Sequence, residues 1–183
     1  MALSAEEAWR MLETADPVAT EKEVELGIRS VAAQITAAFS ERYPLLLCVM
    51  NGAVYFCGRL LPLLRFPLHL DYVHASRYGD EVAGRGLRWR AEPRESVRGR
   101  AVIIVDDILD VGETLAAIKS KVLELGAASC HVAVLADKVT GKPKPVTADF
   151  VGVQVPDRFV FGCGLDAHGS WRNLPAIYAL KDG

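Results

Sequence analysis

Residues 101–118 read AVIIVDDILDVGETLAAI. Ala101 to Val105 are apolar, Asp106 and Asp107 follow without a break, and Asp110 leads into Val111-Gly112-Glu113-Thr114 and then a helix-like run. The pattern reads as a buried strand ending at two carboxylates, a short glycine loop, and a helix beginning at a hydroxyl residue. A fold offers backbone N–H groups and a helix N-terminus to a phosphate in this way. Carboxylates beside such a site would repel the phosphate unless they face sugar hydroxyls or a metal ion. The combination points to a phosphorylated sugar with Mg²⁺.

Working outward, the neighbouring segments repeat the alternation of strand and helix. Ser4 with Glu7 forms a capping box for a first helix, and Pro17 interrupts the pattern. A longer helix is expected from about Thr20 to Ser40, with Val24, Ile28, Val31, Ile35 and Phe39 at spacings of three and four. LLLCVM (45–50) reads as a strand buried on both faces, followed by an Asn51-Gly52 turn and a helix through Tyr55, Phe56 and Leu60. A strand over about Leu68–Ala75 precedes SRYGDEVAGRG, a long mobile loop, and LRWRAEP returns as a hairpin strand. After the focal helix, capped by Gly126, come a strand at 130–138, a loop, a short strand within Val146–Val155 and an extended segment at 159–166.

The fold class is α/β: a mostly parallel sheet core flanked by helices on both faces. Ligands in such sheets sit outside the carboxyl ends of the strands, so Asn51, Asp106 and Lys138, each just after a strand, are expected on one rim.

The 183 residues fit one domain with a full core. A net charge of −2 supplies no basic field for nucleic acid or acidic membrane. Cys48, Cys57, Cys130 and Cys163 have neither CxxC nor zinc-finger spacing and read as reduced thiols. The N-terminus has no signal-peptide core, and no apolar run approaches the roughly 20 residues of a membrane span. A cytoplasmic protein is expected. His69, His74, His131 and His168 lack metal-ligand spacing, and Cys163 reads as packing. GKPKP at 141–145 reads as a solvated basic loop.

VIIVDDILDVGET resembles the signature of the type I phosphoribosyltransferases, which bind 5-phosphoribosyl-1-pyrophosphate (PRPP) and exchange its pyrophosphate for a nucleobase. Met50-Asn51-Gly52, Arg77-Tyr78, Asp137-Lys138 and VPDRFVFGCGLD with WRNLP are similar to the 6-oxopurine, hypoxanthine-guanine branch. The resemblance spans about residues 45–178. It implies a single domain over 1–183: a core of about 18–153, a flexible lid loop of about 76–90, and a small hood of about 154–183 with an N-terminal contribution.

The roles that follow are those the resemblance implies. Main-chain N–H groups of Val111, Gly112 and Glu113, with the Thr114 N–H and hydroxyl, cradle the 5′-phosphate. Asp106 and Asp107 face the ribose hydroxyls directly or through Mg²⁺-bound water, since Mg²⁺ keeps most of its waters and needs few carboxylates. Asp110, also counted with the PRPP site, lies near purine N7 and accepts its proton as N9 attacks C1′. Such a base is modest, so most acceleration should come from positioning and from stabilising the departing pyrophosphate.

Lys138 donates to purine O6, Phe159 stacks on the base, and the Val160 backbone supplies a hydrogen-bonding edge. Asp166, on the purine side, holds a second Mg²⁺ through water. Arg172 binds pyrophosphate, and so does the Asn51-Gly52 loop, often with a cis peptide; some relatives carry lysine or arginine at Asn51. Arg77 and Tyr78 belong to the lid, where relatives often have Ser-Tyr.

The implied reaction is purine salvage from PRPP and hypoxanthine or guanine, by a homodimer or homotetramer without nucleic-acid or membrane partners. The alternatives are a xanthine-preferring enzyme and a PRPP-binding regulator without transfer activity.

Overall fold

Two hydroxyl residues start the N-terminal helices. Ser4 Oγ accepts the Glu7 N–H at 3.2 Å while the Ser4 N–H donates to Glu7 Oε2 at 2.7 Å, and α1 runs over Ala5–Thr14. Thr20 and Glu23 repeat the same reciprocal pair ahead of α2, Glu21–Phe39. These boxes satisfy amides that a helix cannot satisfy internally. The computed structural model describes residues 3–77, 87–94 and 97–181, with only the backbone of Ser76, Arg77 and Leu87.

The remaining elements are β1 (Asp16–Ala19), β2 (Leu45–Val49), α3 (Val54–Leu60) with a 3-10 turn at Leu61–Leu63, β3 (His69–Arg77) and β4 (Leu87–Ala91). They continue as β5 (Ala101–Leu109), α4 (Glu113–Glu124), β6 (Ser129–Val139), β7 (Phe150–Pro156), β8 (Val160–Phe161) and β9 (Ile177–Ala179). Pro17 does more than interrupt a helix. It sits in β1, an edge strand, where a missing N–H costs no ladder bond.

The main sheet has the order β4-β3-β2-β5-β6-β7. All its pairings are parallel except the β3–β4 hairpin, which is antiparallel. Every residue of β2 is buried, as are Val102–Val105 of β5 and Val132–Ala136 of β6. Unbroken apolar runs are what a strand covered on both faces requires. Each fully buried aliphatic side chain here contributes about 1.5–3 kcal/mol.

The connections fix where a ligand can bind. From β2 the chain passes through α3 to β3 on one side; from β5 it passes through α4 to β6 on the other. Right-handed crossovers then place α3 and α4 on opposite faces. The connections that leave the adjacent strands β2 and β5 thus diverge, and a crevice opens outside the carboxyl ends of the two strands.

A second, three-stranded antiparallel sheet, β1-β9-β8, joins the two ends of the chain. Arg158 Nη2 donates to Asp16 Oδ2 and to Leu180 O, both at 2.7 Å. Trp171 Nε1 donates to Ala8 O at 2.9 Å, and its ring meets Trp9 edge-on at 5.0 Å.

Several boundaries differ from the sequence reading. β5 does not stop before the acids but carries Asp106 to Leu109 in register with Val134 to Asp137 of β6. β6, expected over 130–138, is longer by one residue at each end, and the strand expected within 146–155 begins at Phe150 and ends at Pro156. Polar residues near the ends of central strands can keep pairing through their backbone even though their side chains leave the core. α4 starts at Gly112 rather than at a hydroxyl, with φ 86°, a left-handed conformation that glycine tolerates. Leu125 is the C-cap, and Gly126, at φ 88°, is the residue after it.

α2 lies against β7 through Gly27. A Cβ there would stand 2.5 Å from Gly152 O, and one on Gly152 would stand 2.7 Å from Leu135 O. Gly27→Ala would raise helix propensity by about 1 kcal/mol, but forcing the layers apart costs about 1–3 kcal/mol. The variant is expected to melt at a lower temperature than the wild type; a higher melting temperature would show that the helix is free to shift outward.

Candidate active site

The crevice between β2 and β5 is a cleft of about 380 Å³. Its wall includes Asn51, Gly52, Asp106, Asp107, Asp110, Val111, Gly112, Thr114, Asp166 and Arg172, ten of the residues singled out from sequence. Three separate stretches of chain supply them, 51–52, 106–114 and 166–172.

On the β2 side, the Met50 N–H still donates to Val73 O at 2.8 Å, and then the Met50–Asn51 peptide is cis. Ala53 N–H to Val49 O and Val54 N–H to Asn51 O begin α3. Gly52 has no room for a side chain, because a Cβ would overlap the Asp107 carboxylate. Gly164, at φ 105°, is pressed against Gly52 O in the same way. Gly164 had not been singled out from sequence; its only signal was its place in the glycine-rich FGCG run.

On the β5 side, the first helical bond of α4 is Ala116 N–H to Gly112 O at 2.9 Å. The turn before it therefore aims its amides along the helix axis towards the cleft. Thr114 adds a hydroxyl there, whereas the side chain of Glu113 is not part of the cleft wall.

The acids differ sharply in environment. Asp106 is 8% exposed; burial pushes its carboxyl well above the usual range, and the adjacent Asp107 charge pushes it further. Asp107 is also raised by burial, opposed by hydrogen bonds and by the Arg172 guanidinium. The Asp107 N–H donates to Asp106 Oδ1 at 2.9 Å. The pair is an all-oxygen, electron-rich floor. Among the described residues no three His, Cys, Asp or Glu side chains converge as a ready-made ligand set. That donor chemistry suits a hard cation such as Mg²⁺, which takes few carboxylates and fills its shell with water and substrate oxygens.

Asp110 Oδ2 instead accepts a hydrogen bond from Lys138 Nζ at 2.8 Å. Asp110, just after β5 in the cleft wall, is thus joined to Lys138 of β6, which lines the neighbouring pocket together with the 139–148 loop. Lys144 is not solvated as the GKPKP composition suggests: its ammonium donates to Leu109 O at 2.8 Å, Lys138 O at 2.7 Å and Asp137 Oδ1 at 2.6 Å. Composition hid this, because a lysine in GKPKP has no apolar periodicity to mark it as inward-facing.

Arg172 Nη1 donates to Gly164 O at 2.6 Å, and its other terminal nitrogen pairs with Asp166. Asp166 Oδ2 also accepts the Gly169 N–H at 2.8 Å. Phe159 is 53% exposed, so it is not a core residue. Val160 stands opposite Ala179, and Leu180 N–H donates to Phe159 O at 3.0 Å. By antiparallel alternation the Val160 N–H and C=O then face away from β9, along the open edge of β8. Tyr78 and the side chain of Arg77 lie outside the described residues. Cys163 is fully buried, its thiol pushed up to about 11 chiefly by burial.

The raised carboxyls carry a stability consequence. Asp106 and Asp107 bind protons more tightly folded than unfolded. Their contribution is complete below about pH 4, the unfolded range, and is lost as pH rises through the raised folded values. Asp106→Asn keeps the acceptor for the Asp107 N–H and removes one charge. In metal-free buffer it is expected to melt at least 2–4 °C higher at pH 7, roughly the effect of 1 kcal/mol in a domain of this size, with no gain near pH 4. Thermal denaturation at both pH values checks this; equal melting at pH 7 would mean the pair carries no electrostatic penalty.

Comparison with known proteins agrees with this geometry. The family model for the phosphoribosyl transferase domain matches residues 14–168. The chain is 34% identical over 163 residues to the hypoxanthine-guanine phosphoribosyltransferase of Bacillus subtilis (strain 168), covering 88% of this chain and 91% of that protein. It is also 34% identical over 161 residues to the hypoxanthine-guanine-xanthine phosphoribosyltransferase of Tritrichomonas foetus, covering 87% and 88%. A crystal structure of a hypoxanthine phosphoribosyltransferase from Staphylococcus aureus superposes with a TM-score of 0.86, at 26% identity, over 94% of this chain and 95% of that one. The strand that carries the paired acids, the glycine turn and the helix behind it are those of a phosphoribosyltransferase, and the chain belongs to that family, among relatives of the hypoxanthine-guanine kind.

Proposed function

We propose that the protein transfers the 5-phosphoribosyl group of PRPP to hypoxanthine or guanine, giving IMP or GMP and pyrophosphate. The observation that carries the choice of base is the Lys138–Asp110 pair, 2.8 Å apart, which links the cleft to the pocket beside it. A 6-oxopurine presents O6 and N7 side by side on one edge. In the free base that carries its proton on N7, this edge reads acceptor then donor, and a lysine beside a carboxylate is its complement. Lys138 has three donors, so it can serve O6 without releasing Asp110.

The reaction then needs little covalent help from the protein. N9 bonds to C1′, the C1′–pyrophosphate bond breaks, and Asp110 takes the N7 proton, leaving N7 an acceptor in the nucleotide. The exposed Phe159 ring is free to stack on the base, and the open edge of Val160 supplies hydrogen bonds that stacking cannot. The main chain of residues 111–114 and the Thr114 hydroxyl hold the 5′-phosphate. Asp106 and Asp107 hold the ribose hydroxyls and favour the positive charge that develops on the sugar. Arg172 and the Asn51-Gly52 turn face the pyrophosphate.

Asp106 and Asp107 would hold one Mg²⁺, and Asp166 a second through water; when bound, the ion supplies the positive charge that neutralises the diphosphate. A paired assembly, dimer or tetramer, fits the exposed Val54 of α3 and the exposed Leu70 and Tyr72 of β3. The soluble substrates and the four free thiols support a cytoplasmic location.

The test is to mix the protein with Mg²⁺ and PRPP, offer hypoxanthine, guanine, xanthine and adenine separately, and follow nucleotide formation by ultraviolet absorbance. Adenine puts an amino donor against the Lys138 ammonium, and kcat/KM for it is expected to fall by about 10⁴-fold or more. Turnover of adenine alone would overturn the base assignment. No turnover of any base by folded protein would leave a PRPP-binding regulator. Asp110→Asn is expected to lower kcat by about 10²-fold with PRPP affinity little changed; a large loss of PRPP binding would assign Asp110 to the sugar-phosphate side.

A further inference from the structure

We infer that Lys144 is a positioning residue of the base site, acting through Lys138 and Asp110 without touching substrate. This rests on the transfer reaction proposed above. Leu109 and Asp137 are the last pair of the β5–β6 ladder. Beyond them β6 continues beside β7, with Lys138 opposite Val155, while β5 turns away into the glycine loop. The strands therefore part at the point where one must deliver Asp110 and the other Lys138.

The Lys144 ammonium sits in that fork. Its three donors are matched by three acceptors: Leu109 O at 2.8 Å, Lys138 O at 2.7 Å and Asp137 Oδ1 at 2.6 Å. The side chain is only 14% exposed, and its charge is balanced by Asp137. One acceptor is the carbonyl immediately before Asp110; another is the carbonyl of Lys138 itself. A single side chain thus ties together the two main chains that carry the base-reading pair.

The loop that presents it is stiff. Pro143 and Pro145 flank Lys144, and proline fixes φ on both sides. The same loop backs the phosphate turn: a Cβ on Gly112 would stand 3.2 Å from Val146 Cγ1 and 3.5 Å from Pro145 Cδ. Lys142, two residues away, is exposed and reaches neither strand end. The basic GKPKP segment therefore contains one solvated lysine and one that is built into the site.

If Lys144 only stabilised the fold, its loss would lower the melting temperature and reduce activity towards every base alike. A positioning role predicts a split. In Lys144→Met the KM for hypoxanthine is expected to rise about tenfold while the KM for PRPP stays within about threefold. The preference for hypoxanthine over unsubstituted purine, which lacks O6, is expected to shrink by a similar factor. In a Lys138→Met background, adding Lys144→Met is expected to change the preference for hypoxanthine over purine by less than about twofold, because the group that reads O6 is gone. Lys144→Arg keeps the charge but cannot offer three donors from one atom, and should shift the same ratios less; it replaces Lys144→Met if that variant does not fold. Equal losses for hypoxanthine and purine, or additive effects in the double variant, would overturn the inference. Wild-type enzyme inactive towards every base would instead overturn the reaction on which it rests.

Discussion

Everything in the molecule depends on where β5 lets go of its neighbours. Its buried half, Val102–Val105, leaves no freedom in position, because both faces are covered and a slip of one residue would invert them. Asp106 and Asp107 are consequently delivered to a fixed height at the crevice, whatever their own solvation would prefer. Burying two neighbouring carboxylates is unfavourable, and their upward-shifted protonation shows it. A stable fold can keep such a feature only if something else, here the apolar strand beneath, holds it there.

From that constraint the cleft divides by charge. The acid floor favours cations and the positive character of a sugar losing its leaving group. The glycine turn and helix start beside it favour an anion. Two sites of opposite preference, a few residues apart on one chain, suit a substrate with a sugar between phosphates. Close packing sets their spacing: Gly52 leaves space for the Asp107 carboxylate, and Gly164 lets the segment after β8 approach Gly52 O. A methyl at either position would force the β2 turn, the acid and the C-terminal segment to separate.

Much of this was legible in the sequence because it is local. The apolar run into DD, the glycine turn, the helix periods and the Ser4 cap each declare themselves within a few residues, and the parallel sheet follows from alternation. What was not legible is what depends on distant partners. β5 extends past its first charged residues because the backbones keep pairing, and backbone pairing leaves no mark on side-chain pattern. Gly164 is needed only because Gly52 O happens to face it. Pro17 was read as a break, yet it belongs to an edge strand whose partner, β9, lies more than 150 residues away. Lys144 is the clearest case. Its surroundings in sequence are polar and proline-rich, as in a solvated loop, and its three acceptors come from two strand ends that meet only in the folded chain.

That last residue also shows how the two halves of the site are coupled. In the proposed reaction base recognition falls to Lys138 on β6, whereas the acid beside it and the phosphate turn follow the end of β5. Two strands that part company would leave the Lys138–Asp110 distance to side-chain flexibility, and long lysine chains are poorly defined on their own. A second ammonium bound to both main chains removes that freedom before any ligand arrives. The sheet brings the two strands together, but a sheet alone stops where its last hydrogen bond stops. Beyond that point, the geometry of the base site depends on a side chain from the loop that follows.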